Sequence, residues 1–142
     1  MSNSRTEDEW AMYQLACKYA RAVDSNDAAA LDDVFTPDAV MQKGSATWSG
    51  LDEIKKIPPG IPLRYLKTFH AVHNQTTRID GDTAEGETYS IAHNLMEHDG
   101  KTVVHDMAIR YIDRFVRTAK GWRIQHRLLI TDWTETRPAT RG

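Results

Sequence analysis

From Lys67 onward the chain is written as long β-rich segments separated by tight turns. Residues 67–79 end at "DGD", 83–98 at "DG" and 101–117 at "AKG", and 122–134 follow. Asp-Gly and Lys-Gly turns between long strands specify an antiparallel meander. The first half has a different period. After a loose terminus over residues 1–5, "TEDE" reads as a capping box from Thr6 to Glu9. "EWAMYQLACKYARAV" then follows with helical spacing. "DSNDAAALDDVF" predicts a second short helix capped by Asn26 or Asp27. "AVMQKG" and "SATWSG" predict two short strands around Gly44, and "LDEIKKI" a short helix stopped by "PPGIP". Helices first and a curved antiparallel sheet second make an α+β domain with its helices on one face of the sheet.

A length of 142 residues suits one domain, 1–142, with its core over about 7–134. A net charge of -2 and the lack of a basic run argue against nucleic acid as a partner. The polar, acidic "MSNSRTEDEW" is no secretory signal and no apolar run is long enough to span a membrane, so a cytoplasmic protein without a membrane partner is expected. The single cysteine, Cys17, excludes an internal disulfide and a multi-cysteine zinc site, and is expected to be buried and inert.

Tyr13, Cys17, Ala20 and Asp24 fall on one helical face, which leaves a carboxylate at the C-terminal end of an apolar stripe. That is an unfavourable place for a bare negative charge. Histidines raise a similar question. His70 and His73 lie three apart, on opposite faces of a strand, so they cannot share a metal ion without a bulge. Neither face of 69–76 is cleanly apolar. Further along, Val103, His105, Met107, Ile109, Tyr111, Asp113 and Phe115 form the expected core face, and Tyr89, Ile91, His93 and Leu95 the more apolar face of 87–95. Histidines and an aspartate in such a wall require polar partners or a lined pocket.

Three stretches carry a family resemblance. "KYARAVDSNDAAALDDVFTPDAV", "FHAVHNQTTRIDGDTAEGETY" and "YIDRFVRTAKGWRIQHRLLITDW" resemble the first helix, middle strands and closing hairpin of SnoaL-like proteins of the nuclear transport factor 2-like superfamily. The resemblance implies a cone-shaped, strongly curved sheet wrapped around helices. Dehydratases and a dehydrochlorinase of that group share a histidine–aspartate dyad. Asp24 matches their aspartate and His73, within "VHNQT", their histidine; His70 does not match. Tyr19 matches a tyrosine five residues before the aspartate, although five helical residues put the two roughly 140° apart.

The resemblance implies a lyase that needs no cofactor and no metal and acts on a hydrophobic ring such as a steroid, a polyketide or an alicyclic compound. His73 would take a proton, Asp24 would orient and charge His73, and Tyr19 would donate a hydrogen bond. Tyr89, His93, Met107, Tyr111 and Trp133 would line the pocket, and "KKIPPGIPLRY" would cover its mouth. The alternatives are a non-catalytic binding module and a polyketide cyclase or ketosteroid isomerase-type enzyme. The small molecule apart, the expected partner is a second copy of the chain. A homotrimer or homodimer would form through the outer sheet face carrying Arg110, Ile112 and Arg114.

Overall fold

The computed structural model describes residues 3–142. Helix α1 (Arg5–Asp24) starts earlier than "TEDE" suggests, so only residues 3 and 4 of the expected loose terminus precede it, and residues 1 and 2 lie outside the described residues. Its cap is Ser4, whose hydroxyl accepts from the Glu7 amide at 3.2 Å while the Glu7 carboxylate accepts from the Ser4 amide at 2.7 Å. Glu9 is instead engaged by Arg5 one turn back, at 2.7 Å. The expected second helix is a 3-10 turn, Ala28–Asp33, capped by Asp27. Strands β1 (Phe35–Lys43) and β2 (Ala46–Ser49) follow, then the short helices α2 (Leu51–Ile54) and α3 (Ile57–Gly60).

The second half is the expected meander: β3 (Lys67–Asp80), β4 (Thr83–His98), β5 (Lys101–Thr118) and β6 (Gly121–Pro138). The β4–β5 turn holds Asp99 and Gly100 at φ 52° and 75°, the paired positive values of a tight hairpin. The sheet order is β2-β1-β6-β5-β4-β3, and the sheet curves without closing. It departs from a purely antiparallel sheet in one place: β1 pairs with β6 in parallel, because helical segments separate β1 from the meander. Residues 135–138, beyond the expected core of about 7–134, continue β6, with Pro138 opposite Val103. The length of β5 extends its partner.

The inner face of the sheet corrects the sequence expectation for β4. Thr88, Ser90, Ala92 and Asn94 are buried against the helices, and Tyr89 and His93 point outward, as does Trp133 on β6. Small and polar residues occupy the inner positions of β4 because β5 fills the space opposite them with Tyr111, Phe115 and Ile109. Gly86 shows how tight this is: a Cβ there would lie 2.9 Å from the Phe115 ring. Cys17 is half-buried rather than buried.

Asp8 ties α1 to the β5–β6 hairpin. Its carboxylate accepts two bonds from the Arg117 guanidinium at 3.0 Å and one from Trp122 Nε1 at 2.9 Å. The Arg117 hydrogen bonds, against the opposing effect of burial and with help from Trp122, hold its pKa down at about 2. A depressed carboxyl pKa adds stability that is present above about 3.8 and is lost as pH falls toward about 2. Asp8→Asn should therefore destabilise the protein at neutral pH by about 2 kcal/mol. The loss should shrink as pH falls through this window. Thermal melts at stepped pH read both; equal melting at pH 7 would contradict the assignment.

Candidate active site

Asp24 is the last residue of α1, where Ser25 closes the helix on the Arg21 carbonyl and Asn26, at φ 52°, turns the chain away. Strand β3 runs beside this end of the helix and answers the problem of a carboxylate placed there. Thr68 Oγ1 donates to Asp24 Oδ1 at 2.8 Å, and the His70 backbone amide donates to Oδ2 at 2.8 Å. His70 Nδ1 lies 2.6 Å from Oδ1. An ionised carboxylate only accepts, so Nδ1 carries the proton in this bond. Burial pushes the Asp24 pKa up, but the bonds from His70 and Thr68 outweigh it and the net shift is downward. Asp24 therefore stays ionised throughout the neutral range.

The partner of Asp24 is thus His70, not His73. Residues advance about 3.3 Å each along a strand, so His73 stands about 10 Å further along β3. It falls at an irregularity in the β3–β4 register between Val72 and Gln75, in a shallow surface cleft beside Trp10 and Tyr13. The irregularity interrupts the alternation at His73, so strand parity does not place the two histidines on opposite faces, and both lie beside α1; the motif match chose the histidine that does not reach Asp24. Thr68, two residues before His70, is buried on the same inward side.

The His70 ring is 10% exposed and stands at the edge of a cavity of about 260 Å³ between α1, the sheet and the segment 56–65. Asp24 lies on the other side of the ring, outside the cavity lining. With Nδ1 engaged, Nε2 has no hydrogen-bond partner among the described residues and is the ring's free polar atom. Tyr19 lines the same cavity even though α1 is helical through Asp24: the 140° offset sends the phenol into the core, while the Asp24 carboxylate stays outside the lining. The Tyr19 hydroxyl makes only a 3.8 Å contact to Met41 Sδ. Burial pushes its pKa up to about 12, against the pull of the Arg127 charge. It is therefore a standing donor.

Of the other expected pocket residues, Met107 and Tyr111 line the cavity, whereas Tyr89, His93 and Trp133 lie on the opposite face of the sheet. There His93 Nδ1 meets Asp106 at 2.7 Å, a second histidine–aspartate pair away from the cavity. Asn94, Trp48, Met41 and Lys43 also line the cavity and were not among the expected pocket residues. Asn94 is a buried amide whose Nδ2 donates to the His105 carbonyl at 3.1 Å. The segment 56–65 closes the cavity through Ile57, Ile61 and Tyr65, as expected of a cover. Among the described residues, no three His, Cys, Asp or Glu side chains converge as a metal site would require, and no helix is long and apolar enough to cross a membrane.

A family model for the SnoaL-like domain matches residues 4–128. The chain belongs to the SnoaL-like family. An uncharacterized protein of Mycobacterium tuberculosis is 30% identical to this SnoaL-like chain over 132 residues, covering 90% of this chain and 88% of that protein. A Novosphingobium aromaticivorans protein proposed to be an aromatic ring hydroxylase superposes with a TM-score of 0.81 at 28% identity, covering 95% of this chain and 96% of that one. Another from the same organism, proposed to be a scytalone dehydratase, gives 0.83 at 19% identity over 99% and 94%. A hexachlorocyclohexane dehydrochlorinase of Novosphingobium barchaimii gives 0.82 at 14% identity over 97% and 95%. The SnoaL-like chain shares its fold with these proteins and with the nuclear transport factor 2-like superfamily.

The short bond between His70 and Asp24 has a direct signature. The His70 Nδ1 proton should give a strongly downfield NMR signal in the wild type and in His73→Ala, and should be absent in Asp24→Asn. A signal that survives Asp24→Asn would separate the two residues.

Proposed function

We propose that this SnoaL-like protein is a cofactor-independent lyase that eliminates water or halide from a ring compound, with His70 as the base. The observation that carries this reading is the imidazole held through Nδ1 by Asp24 while Nε2 is left free at the cavity edge. Asp24 fixes the tautomer and stabilises the imidazolium that forms. Nε2 takes a proton from a ring carbon, that C–H pair becomes the new π bond, and the leaving group departs with its own electron pair. A hydroxide leaving group collects a proton from the imidazolium and leaves as water; a halide leaves as the ion. Tyr19 donates its hydrogen bond to the departing atom or to a carbonyl oxygen on the ring. A cavity of about 260 Å³ falls just below the usual span of small-molecule sites, about 300–1,000 Å³. This favours one or two rings over a whole steroid.

Hydroxylated and halogenated one- and two-ring compounds, followed by mass spectrometry for loss of water or halide, test the assignment. His70→Ala should lower turnover by about 10²–10⁴-fold with the circular dichroism unchanged. Asp24→Asn should lower it comparably, and His73→Ala should leave it as in the wild type. Full activity in His70→Ala would remove the assignment. Saturable binding without any product would make the protein a binding module, and ring closure or double-bond migration a cyclase or isomerase.

The outer face of the sheet supports self-association into a trimer or dimer. Phe69, Tyr89 and Trp133 are 64%, 45% and 65% exposed there, more aromatic surface than a solvated face calls for. Light scattering should give a multiple of 16.1 kDa that drops to one chain in Tyr89→Glu/Trp133→Glu. A monomeric wild type would exclude the interface.

A further inference from the structure

The ionisable groups at the rim of the cavity are of one sign. Lys43, Lys56 and Arg64 line it together with His70, and no carboxylate does. Lys56 is neutralised by Glu53 at 2.7 Å. Lys43 and Arg64 form no ion pair and donate no side-chain hydrogen bond among the described residues; Arg64 only rests near the Tyr65 ring, 5.7 Å from its centroid.

The placement of Lys43 is the telling part. It ends β1 on the inward side, in step with the fully buried Ala39 and Met41, where a third apolar residue would continue the stripe. Met41 lines the cavity, and Lys43 follows it toward the rim. A half-buried ammonium without a counter-charge costs free energy. Burial, and then the charge of Arg64, move the Lys43 pKa downward, so the ammonium is held beside a like charge. An anion between them would relieve both.

We infer that the ligand of this cavity is an anionic ring compound, an apolar one- or two-ring body bearing a carboxylate or phosphate oxyanion that Lys43 and Arg64 bind at the mouth. This rests on the cavity being the substrate site of the proposed lyase and names the class of substrate it takes. The apolar body lies among Met41, Trp48, Ile109 and Leu129, and the oxyanion stays at the rim, where Arg64 offers a planar, bidentate partner. Apolar contact supplies affinity, and the two cations select among rings of similar shape.

The test is calorimetric titration with three probes of one shape: 2-naphthoate, 2-naphthyl phosphate and neutral 2-naphthamide. At least one anion should bind the wild type about tenfold or more tightly than the amide, a preference that weakens as salt is raised. Which anion leads tells whether the source is a carboxylic acid or a phosphate ester. Lys43→Met and Arg64→Gln should each reduce the preference, and the pair should abolish it, while the amide binds as before. Arg64 is exposed, so its variant separates lost binding from lost folding. The preference should persist in His70→Ala, which keeps this result independent of the catalytic assignment. Equal binding of acid and amide, no binding of any probe, or a preference that vanishes only in His70→Ala would each overturn the inference.

Discussion

The buried pair of Arg127 and Asp113 is the interaction on which the cavity and its walls depend. The two residues stand directly opposite one another on β6 and β5, both fully buried, joined by two bonds of 2.8 Å. Such a pair is held only where geometry and further partners offset desolvation, and losing one member costs about 3–5 kcal/mol. Here the guanidinium also lies against two aromatic rings, 4.6 Å from the Tyr19 centroid and 4.0 Å from that of Tyr111. Burial lowers the Arg127 pKa, but the Asp113 charge and bonds more than restore it, so the pair stays ionic. One charge pair thereby joins two strands to helix α1.

That arrangement has a chemical consequence for the cavity. Tyr19 and Tyr111 pack edge to face, 5.7 Å between centroids, and both line the space that His70 faces. Burial keeps both phenols protonated well beyond neutral pH. The wall of the cavity therefore combines apolar surface with fixed hydrogen-bond donors, the preorganised setting in which a proton can be moved with little solvent rearrangement. The ion pair that makes this possible is placed below the rings and is not part of the cavity lining.

Much of this was legible in the sequence. The four long strands and their turns, the helix ending at Asp24, and the need of Asp113 for a partner all followed from local chemistry. So did the inward Met107 and Tyr111. The failures over which side of a strand faces inward share one cause. A strand's period of two says which residues share a face and not which face is inside. For β4 the apolar set Tyr89, Ile91 and His93 looked like the core, yet Thr88, Ser90, Ala92 and Asn94 occupy it, because small side chains are what the rings of β5 leave room for. For β3 neither set was clean, and the choice between His70 and His73 fell to a motif instead of a contact.

What the sequence by itself determined was local: periodicity, turns, caps and the conspicuous carboxylate at the end of α1, all set by interactions between near neighbours in the chain. The tertiary structure alone decided which histidine meets that carboxylate. It also decided which side of each strand faces the cavity and that Lys43 and Arg64 share its rim. These depend on the register of strands against a helix some 46 residues away in the chain. A one-residue slip in that register exchanges every inward side chain for an outward one, and only packing across the whole sheet excludes the slip.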